Sequence, residues 1–143
     1  MSLADRVALV TGANHGIGAA TARALAATGA AVLLSYLRLE DQVDTATPER
    51  YWTARTAGAE VMVKAIEAAG GRALAVEADL TDPSTPSRLF DEAERTLGPV
   101  AILVNNASGW IADTFGAQTT DRFERRLRPV SVETFDRQFA VDA

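Results

Sequence analysis

The sequence predicts an α/β fold, a parallel sheet with helices on both faces, and three observations lead there. Short apolar runs at Val7–Val10, Ala31–Tyr36, 73–78 and Val100–Val104 alternate with helical segments. Each run is apolar almost throughout, the pattern of strands covered on both faces rather than half-solvated. The first run passes into its helix through a glycine-rich turn, Thr11-Gly12-Ala13-Asn14-His15-Gly16-Ile17-Gly18.

Val7–Val10 is the first strand, and residues 17–27 form an alanine-rich helix with Ile17, Ala20, Ala24 and Leu25 at helical spacing. Gly29 stops that helix. Ala31–Tyr36 is the second strand. Residues 37–55 are polar and irregular, contain Pro48, and are read as an inserted loop, either a tolerated surface insertion or a lid over a ligand. Residues 57–69 return to helix, with Val61, Ala65 and Ala68 on one face and Gly70-Gly71 at the end. Residues 73–78 make the third strand. Asp79-Leu80-Thr81-Asp82-Pro83 then turns into a helix over 84–97 with Leu89, Phe90, Ala93 and Leu97 inward. Val100–Val104 holds no polar residue and is the fourth strand. Residues 107–130 are irregular, and 132–141 form a last helix with Phe135 and Phe139 at i and i+4. Right-handed crossovers order the strands 3-2-1-4. A chain of 143 residues holds one domain, not two.

Composition excludes several functions. There are no cysteines and one histidine, His15, so disulfides, a thiol nucleophile and a multi-histidine metal site are ruled out, and no metal is expected. A net charge of −5 makes nucleic acid and anionic membrane poor partners. No apolar run approaches the ~20 residues that cross a bilayer. The segment Met1-Ser2-Leu3-Ala4-Asp5-Arg6 lacks the basic-then-apolar order of a signal peptide, so a soluble cytoplasmic protein is expected.

The glycine turn carries the chemistry. Gly12 suits a tight turn, Gly16 lets the main chain approach a pyrophosphate, and Gly18 lets the helix pack on the strand. The helix start then offers unbonded N–H groups and a partial positive charge to phosphates. A purely structural glycine turn is the alternative, but the turn's place between strand and helix favours a Rossmann-type dinucleotide-binding domain.

Thr-Gly-x-x-x-Gly-x-Gly resembles the short-chain dehydrogenase/reductase family. Asp79-Leu80 after the third strand and Asn105-Asn106-Ala107-Ser108 after the fourth match the family in order, with Ser108 where the family has glycine. The resemblance implies a hydride-transferring oxidoreductase acting on a carbonyl or alcohol, with this chain as its cofactor-binding part. It implies that Asp79 lies near the adenine, that Asn105 steadies the central strands, and that Ala107 lines the nicotinamide-ribose side, with Leu80, Asn106 and Ser108 as further candidate cofactor contacts. Gly12, Asn14, His15, Gly16, Ile17 and Gly18 are the candidate contacts in the loop.

An acid ending the second strand would bind a ribose 2′-hydroxyl and repel a 2′-phosphate. This chain has Ser35-Tyr36-Leu37-Arg38 there, with no acid before Glu40. Arg38, with His15 from the loop, therefore points to NADP(H) over NAD(H), and Tyr36 is a further candidate cofactor contact. Arg38 as a solvated residue, His15 as loop filling, and Glu40 or Asp41 folding back against a phosphate are the competing readings.

The family's reduction relies on a tyrosine with a lysine four residues on, a serine, and an asparagine on the preceding helix. The chain's tyrosines are Tyr36 and Tyr51, and the residues four on are Glu40 and Arg55. Asp142 stands where that asparagine is expected, so no catalytic residue is assigned. The sequence reads as a domain truncated after about four strands, longer by roughly a hundred residues in its native form on domain size and inactive alone. Truncation also leaves the fourth strand as an apolar edge. A complete protein is expected to form a homo-oligomer, because the family uses the last helix for dimer contacts. A non-catalytic dinucleotide-binding module is the alternative function. The basic run Arg122-Phe123-Glu124-Arg125-Arg126-Leu127-Arg128 is either a solvated face or an anion contact.

Overall fold

The structure, a computed structural model, describes residues 2–38 and 49–142. Residues 39–48 of the expected insertion, with Glu40, Asp41 and Pro48, and the terminal Ala143 lie outside the described residues. The elements run β1 (Val7–Val10), α1 (Gly16–Ala27), β2 (Ala31–Tyr36), α2 (Glu49–Thr56), α3 (Glu60–Ala68), β3 (Arg72–Glu77), α4 (Thr85–Thr96), β4 (Val100–Val104), β5 (Asp113–Thr114), β6 (Arg128–Pro129) and α5 (Val132–Asp142).

Four strands form one sheet in the order β3-β2-β1-β4, every neighbour parallel, as the crossover rule requires. Leu9 lies beside Leu33 and Leu103, and Leu33 beside Leu74. Side chains alternate between the faces. Ala8, Val10, Val32 and Leu34 face Ala22 of α1 and Ile66 of α3. Val7, Leu9, Ala31 and Leu33 face Leu89 and Ala93 of α4. Burial on both faces explains why β1 reads as an unbroken apolar run and β2 as one broken only by Ser35.

Two helix faces differ from the sequence expectation. The buried stripe of α1 is Gly18, Ala19 and Ala22, while Ile17 is 79% exposed. The smallest residues face inward because α1 lies close to the sheet. In α3 the buried residue is Ile66, with Met62 and Val63 packed beside it, and Val61 is 78% exposed. The periodicity was ambiguous there because alanine fits either face.

The stretch read as irregular up to residue 55 contains the helix α2, and α3 begins at Glu60 rather than 57. Gly58, a poor helix former, separates the two. The Asn14 carboxamide nitrogen holds the break, donating to the carbonyls of Ala54 at 3.2 Å and Ala57 at 3.0 Å, the oxygens a helix end leaves without internal partners.

Residues 107–130 are largely irregular but contain a short parallel pair, Asp113 beside Arg128 and Thr114 beside Pro129. Among the described residues β4 pairs with β1 alone, and Leu103 is 48% exposed, as expected of an edge. Phe135 and Phe139 of α5 stack 5.4 Å apart and are both more than half exposed. No described helix is long and apolar enough to cross a membrane, and no described group of three metal-ligating side chains converges.

The opposite exposures of Ile66 and Val61 give a mutational contrast. Ile66→Ala should lower unfolding stability by about 2–5 kcal/mol. Val61→Ala should change it by less than about 0.5 kcal/mol. Urea denaturation of both variants checks this, and equal losses would mean that the face is assigned wrongly.

Candidate functional site

All four strands end at the same edge of the sheet, and the sequence-singled residues gather there. In a parallel sheet this carboxyl edge is where ligands bind. Its two inner strands, β1 and β2, are flanked by the turns after β3 and β4.

The end of β1 is bolted to the end of β4. Thr11 Oγ1 accepts from the backbone N–H of Asn106 at 2.9 Å and of Ala107 at 3.0 Å. The Asn106 carboxamide nitrogen returns two bonds, to the carbonyls of Thr11 at 2.9 Å and Gly12 at 3.0 Å. Asn106 therefore performs the strand-steadying role expected of Asn105, which is exposed. Thr11 had no assigned role in the sequence, although it heads the Thr-Gly-x-x-x-Gly-x-Gly pattern directly after β1.

Gly18 fits beneath this clasp. A Cβ there would stand 2.3 Å from the Gly12 carbonyl oxygen and 2.5 Å from the Asn106 carboxamide nitrogen, so only glycine lets α1 start here. Gly16 is different: its φ is +58°, and a Cβ would meet nothing within 4 Å. The chain is left-handed beside open space, which suits a backbone that a ligand approaches. No side-chain cap closes the start of α1, and its first turn holds no acid. Uncapped N–H groups and a positive helix end thus face the edge, a cradle that fits a pyrophosphate.

His15 stands at the N-cap of α1, half-buried. Burial first, then the nearby Arg55 charge, lowers its pKa below the ordinary 6.5, so the ring is neutral near pH 7. Asn14 is committed to α2 through the two carbonyl bonds described above.

Tyr36 is buried, and its hydroxyl donates to Glu60 Oε1 at 2.9 Å. Burial, then that hydrogen bond, pushes the phenol above its usual value of 10. Two residues on, Arg38 is gripped by Glu77. Nε donates to Oε1 at 3.1 Å and Oε2 at 3.0 Å, Nη2 donates to Oε2, and the backbone N–H donates to Oε1 at 3.2 Å. The carboxylate raises the Arg38 pKa further and is itself held below its usual range. Neither Glu60 nor Glu77 was singled out in the sequence. Glu77 is the register partner of Tyr36, which brings it diagonally to Arg38.

Asp79 Oδ1 accepts from the Thr81 N–H at 2.9 Å and hydroxyl at 2.8 Å, which shapes the turn after β3 with Leu80 half-buried beside it. Ser108 donates to Asp142 Oδ2 at 3.2 Å, and the Gly109 N–H donates to Asp142 Oδ1 at 2.9 Å. Asp142 thus ties α5 to the turn after β4, where the sequence offered no role for it. The basic run is partly neutralised by the residue before it: Arg125 pairs with Asp121 at 2.6 Å and lies over the Trp110 and Phe123 rings.

A sequence profile of the short chain dehydrogenase family matches residues 6–132. The chain belongs to the short-chain dehydrogenase/reductase family. NADPH-dependent aldehyde reductase 2, chloroplastic, of Arabidopsis thaliana is 40% identical over 145 residues, covering 99% of this chain and 47% of that protein. A blue fluorescent protein from a metagenomic library, solved in complex with NADPH, superposes with a TM-score of 0.71 at 31% identity, covering 99% of this chain and 47% of its own. A 3-oxoacyl (acyl-carrier-protein) reductase of Agrobacterium tumefaciens with NADP bound gives a TM-score of 0.69 at 32% identity, covering 98% and 43%. The chain spans less than half the length of the relatives it matches. Like those family structures, it carries a parallel Rossmann-type sheet.

Two measurements test this description of the short-chain dehydrogenase edge. Thr11→Val should cost about 1–3 kcal/mol by stranding two N–H groups, whereas Thr11→Ser should hold near wild type; equal unfolding midpoints for Val and wild type would remove the clasp's importance. The second concerns His15. Its folded pKa lies below its unfolded value, so the unfolded chain takes up the proton first. The stability this residue lends is complete above about pH 6.5 and is lost as pH falls through the folded pKa. Between about pH 7 and about pH 5 the wild-type urea midpoint should fall more steeply than that of His15→Asn. Parallel profiles would contradict this.

Proposed function

We propose that this chain is the cofactor-binding part of an NADP(H)-dependent oxidoreductase that transfers hydride between the nicotinamide and a carbonyl or alcohol carbon. The open, left-handed Gly16 at the uncapped start of α1, on the same sheet edge as Arg38, carries this reading. The backbone N–H groups of Gly16, Ile17 and Gly18 bind the pyrophosphate. Asp79 and Leu80 flank the adenine, and Ala107 and Ser108 border the nicotinamide ribose. Arg38 faces the 2′-phosphate, and the end of β2 offers no acid to oppose it. The NADPH-dependent relative and the NADP-bound neighbours support the same preference.

Reduction adds hydride to the carbonyl carbon and a proton to its oxygen, giving the alcohol. The nicotinamide, when bound, supplies the hydride; the proton needs an acid near the carbonyl. Tyr36 does not serve, because its hydroxyl points into Glu60 and burial holds its proton more tightly than an exposed phenol does. On this reading the chain binds nucleotide without turnover, and Asn14, His15 and Asn106 shape the cradle rather than move protons. We assign the expected homo-oligomeric contact of the whole protein to α5, where the Phe135–Phe139 stack is exposed. A nucleotide-binding module without catalysis is the second reading, and a Tyr-x-x-x-Lys pair further along the protein is the feature that separates the two.

Thermal unfolding with NADPH checks both halves of the proposal. Saturation at 100 times the dissociation constant should stabilise the chain by about 2.7 kcal/mol. The same protein, given NADPH and a panel of aldehydes and ketones, should show no loss of NADPH absorbance. Absence of stabilisation would overturn nucleotide binding, and turnover would overturn the assignment of an inactive part.

A further inference from the structure

The corner where β2 and β3 end holds more negative charge than the sequence suggested. Arg38 contributes one positive charge, and Glu60 and Glu77 contribute one negative charge each, so these three groups sum to −1. Arg38 also meets Glu77 with the edge of its guanidinium that an anion prefers. Nε and Nη2 form one side of the planar fork, and both already donate to the Glu77 carboxylate. The Arg38 side chain is about half exposed and that of Glu77 about a third, so both are accessible from solvent.

We infer that Glu77 sets the cofactor selectivity of this chain by competing with a ribose 2′-phosphate for Arg38. The inference rests on the reading in which Arg38 faces that phosphate. A phosphate monoester carries between one and two negative charges near neutrality. It must displace the carboxylate from the fork, or bind the remaining Nη1 side with Glu77 still close by. A 2′-hydroxyl meets no such opposition. Glu77 can accept its hydrogen bond, supplying from β3 the acid that the end of β2 lacks. The corner is therefore divided, a cation for NADP(H) and an anion for NAD(H), one residue each. Glu77 thus holds the preference for NADP(H) below what Arg38 alone would give.

The test is calorimetric titration of NADPH and NADH into the full chain as wild type, Glu77→Gln and Arg38→Ala. Glutamine keeps the size and a carbonyl acceptor but removes the charge. In Glu77→Gln the ratio of the NADH to the NADPH dissociation constant should rise by about tenfold or more, through tighter NADPH. NADH affinity should stay within about threefold of wild type, which also reports an intact fold. In Arg38→Ala, NADPH should weaken to the level of NADH. An unchanged ratio in Glu77→Gln, with Arg38→Ala weakened as stated, overturns the competition alone. A fall in the ratio overturns it too, because Glu77 would then be positioning Arg38 for the phosphate. Unchanged NADPH binding in Arg38→Ala overturns the placement of the 2′-phosphate, and the inference with it.

Discussion

The hydroxyl of Thr11 holds the site together. β1 and β4 are neighbours in the sheet, yet the bonds between their ends join residues 94 to 96 positions apart. The ladder aligns the strands but stops where they end. Beyond that point two turns must leave the sheet in fixed directions, one into α1 and one toward α5. Thr11 Oγ1 and the Asn106 carboxamide do this with four hydrogen bonds between side chain and main chain. Each satisfies a backbone group that would otherwise lie part-buried without a partner, which is costly. Gly18 follows from this arrangement, because the clasp leaves no room for a side chain under the first turn of α1.

Around the clasp, each strand end contributes a different kind of group. β1 supplies backbone N–H groups through the glycine turn, β2 a guanidinium, β3 two carboxylates, and β4 a turn anchored to α5. The sheet's apolar interior, sealed by α1 and α3 on one face and α4 on the other, holds these ends within reach of a single extended ligand. The charged groups are engaged locally rather than left open. Glu77 neutralises Arg38, Tyr36 donates to Glu60, and Asp121 neutralises Arg125. A cation identified in a sequence is therefore only half of the information about a binding site.

The strands and their order were legible because burial on both faces leaves a plain mark, an apolar run, and crossover handedness does the rest. The glycine turn was legible because its spacing and its place reinforce each other. The inward faces of α1 and α3 were not, since alanine occupies so many positions that periodicity distinguishes no stripe. The helix α2 was missed because Glu49-Arg50-Tyr51-Trp52-Thr53-Ala54-Arg55-Thr56 has no apolar repeat, and its anchor is Asn14, 40 residues earlier. The bonding roles of Thr11 and Glu77 were hidden for one shared reason. Their partners lie across the sheet, and a reading along one strand does not see the end of the next.

The Asn14 anchor has a consequence for what this segment can become. Among the described residues its carboxamide donates to the main-chain oxygens of Ala54 and Ala57, and every residue type carries that oxygen. The socket thus fixes where the segment sits without dictating its side chains. Residues of α2 that do not touch the glycine turn can be exchanged while the mooring survives. The chain can acquire new surface beside its phosphate cradle and leave the cradle's own geometry undisturbed.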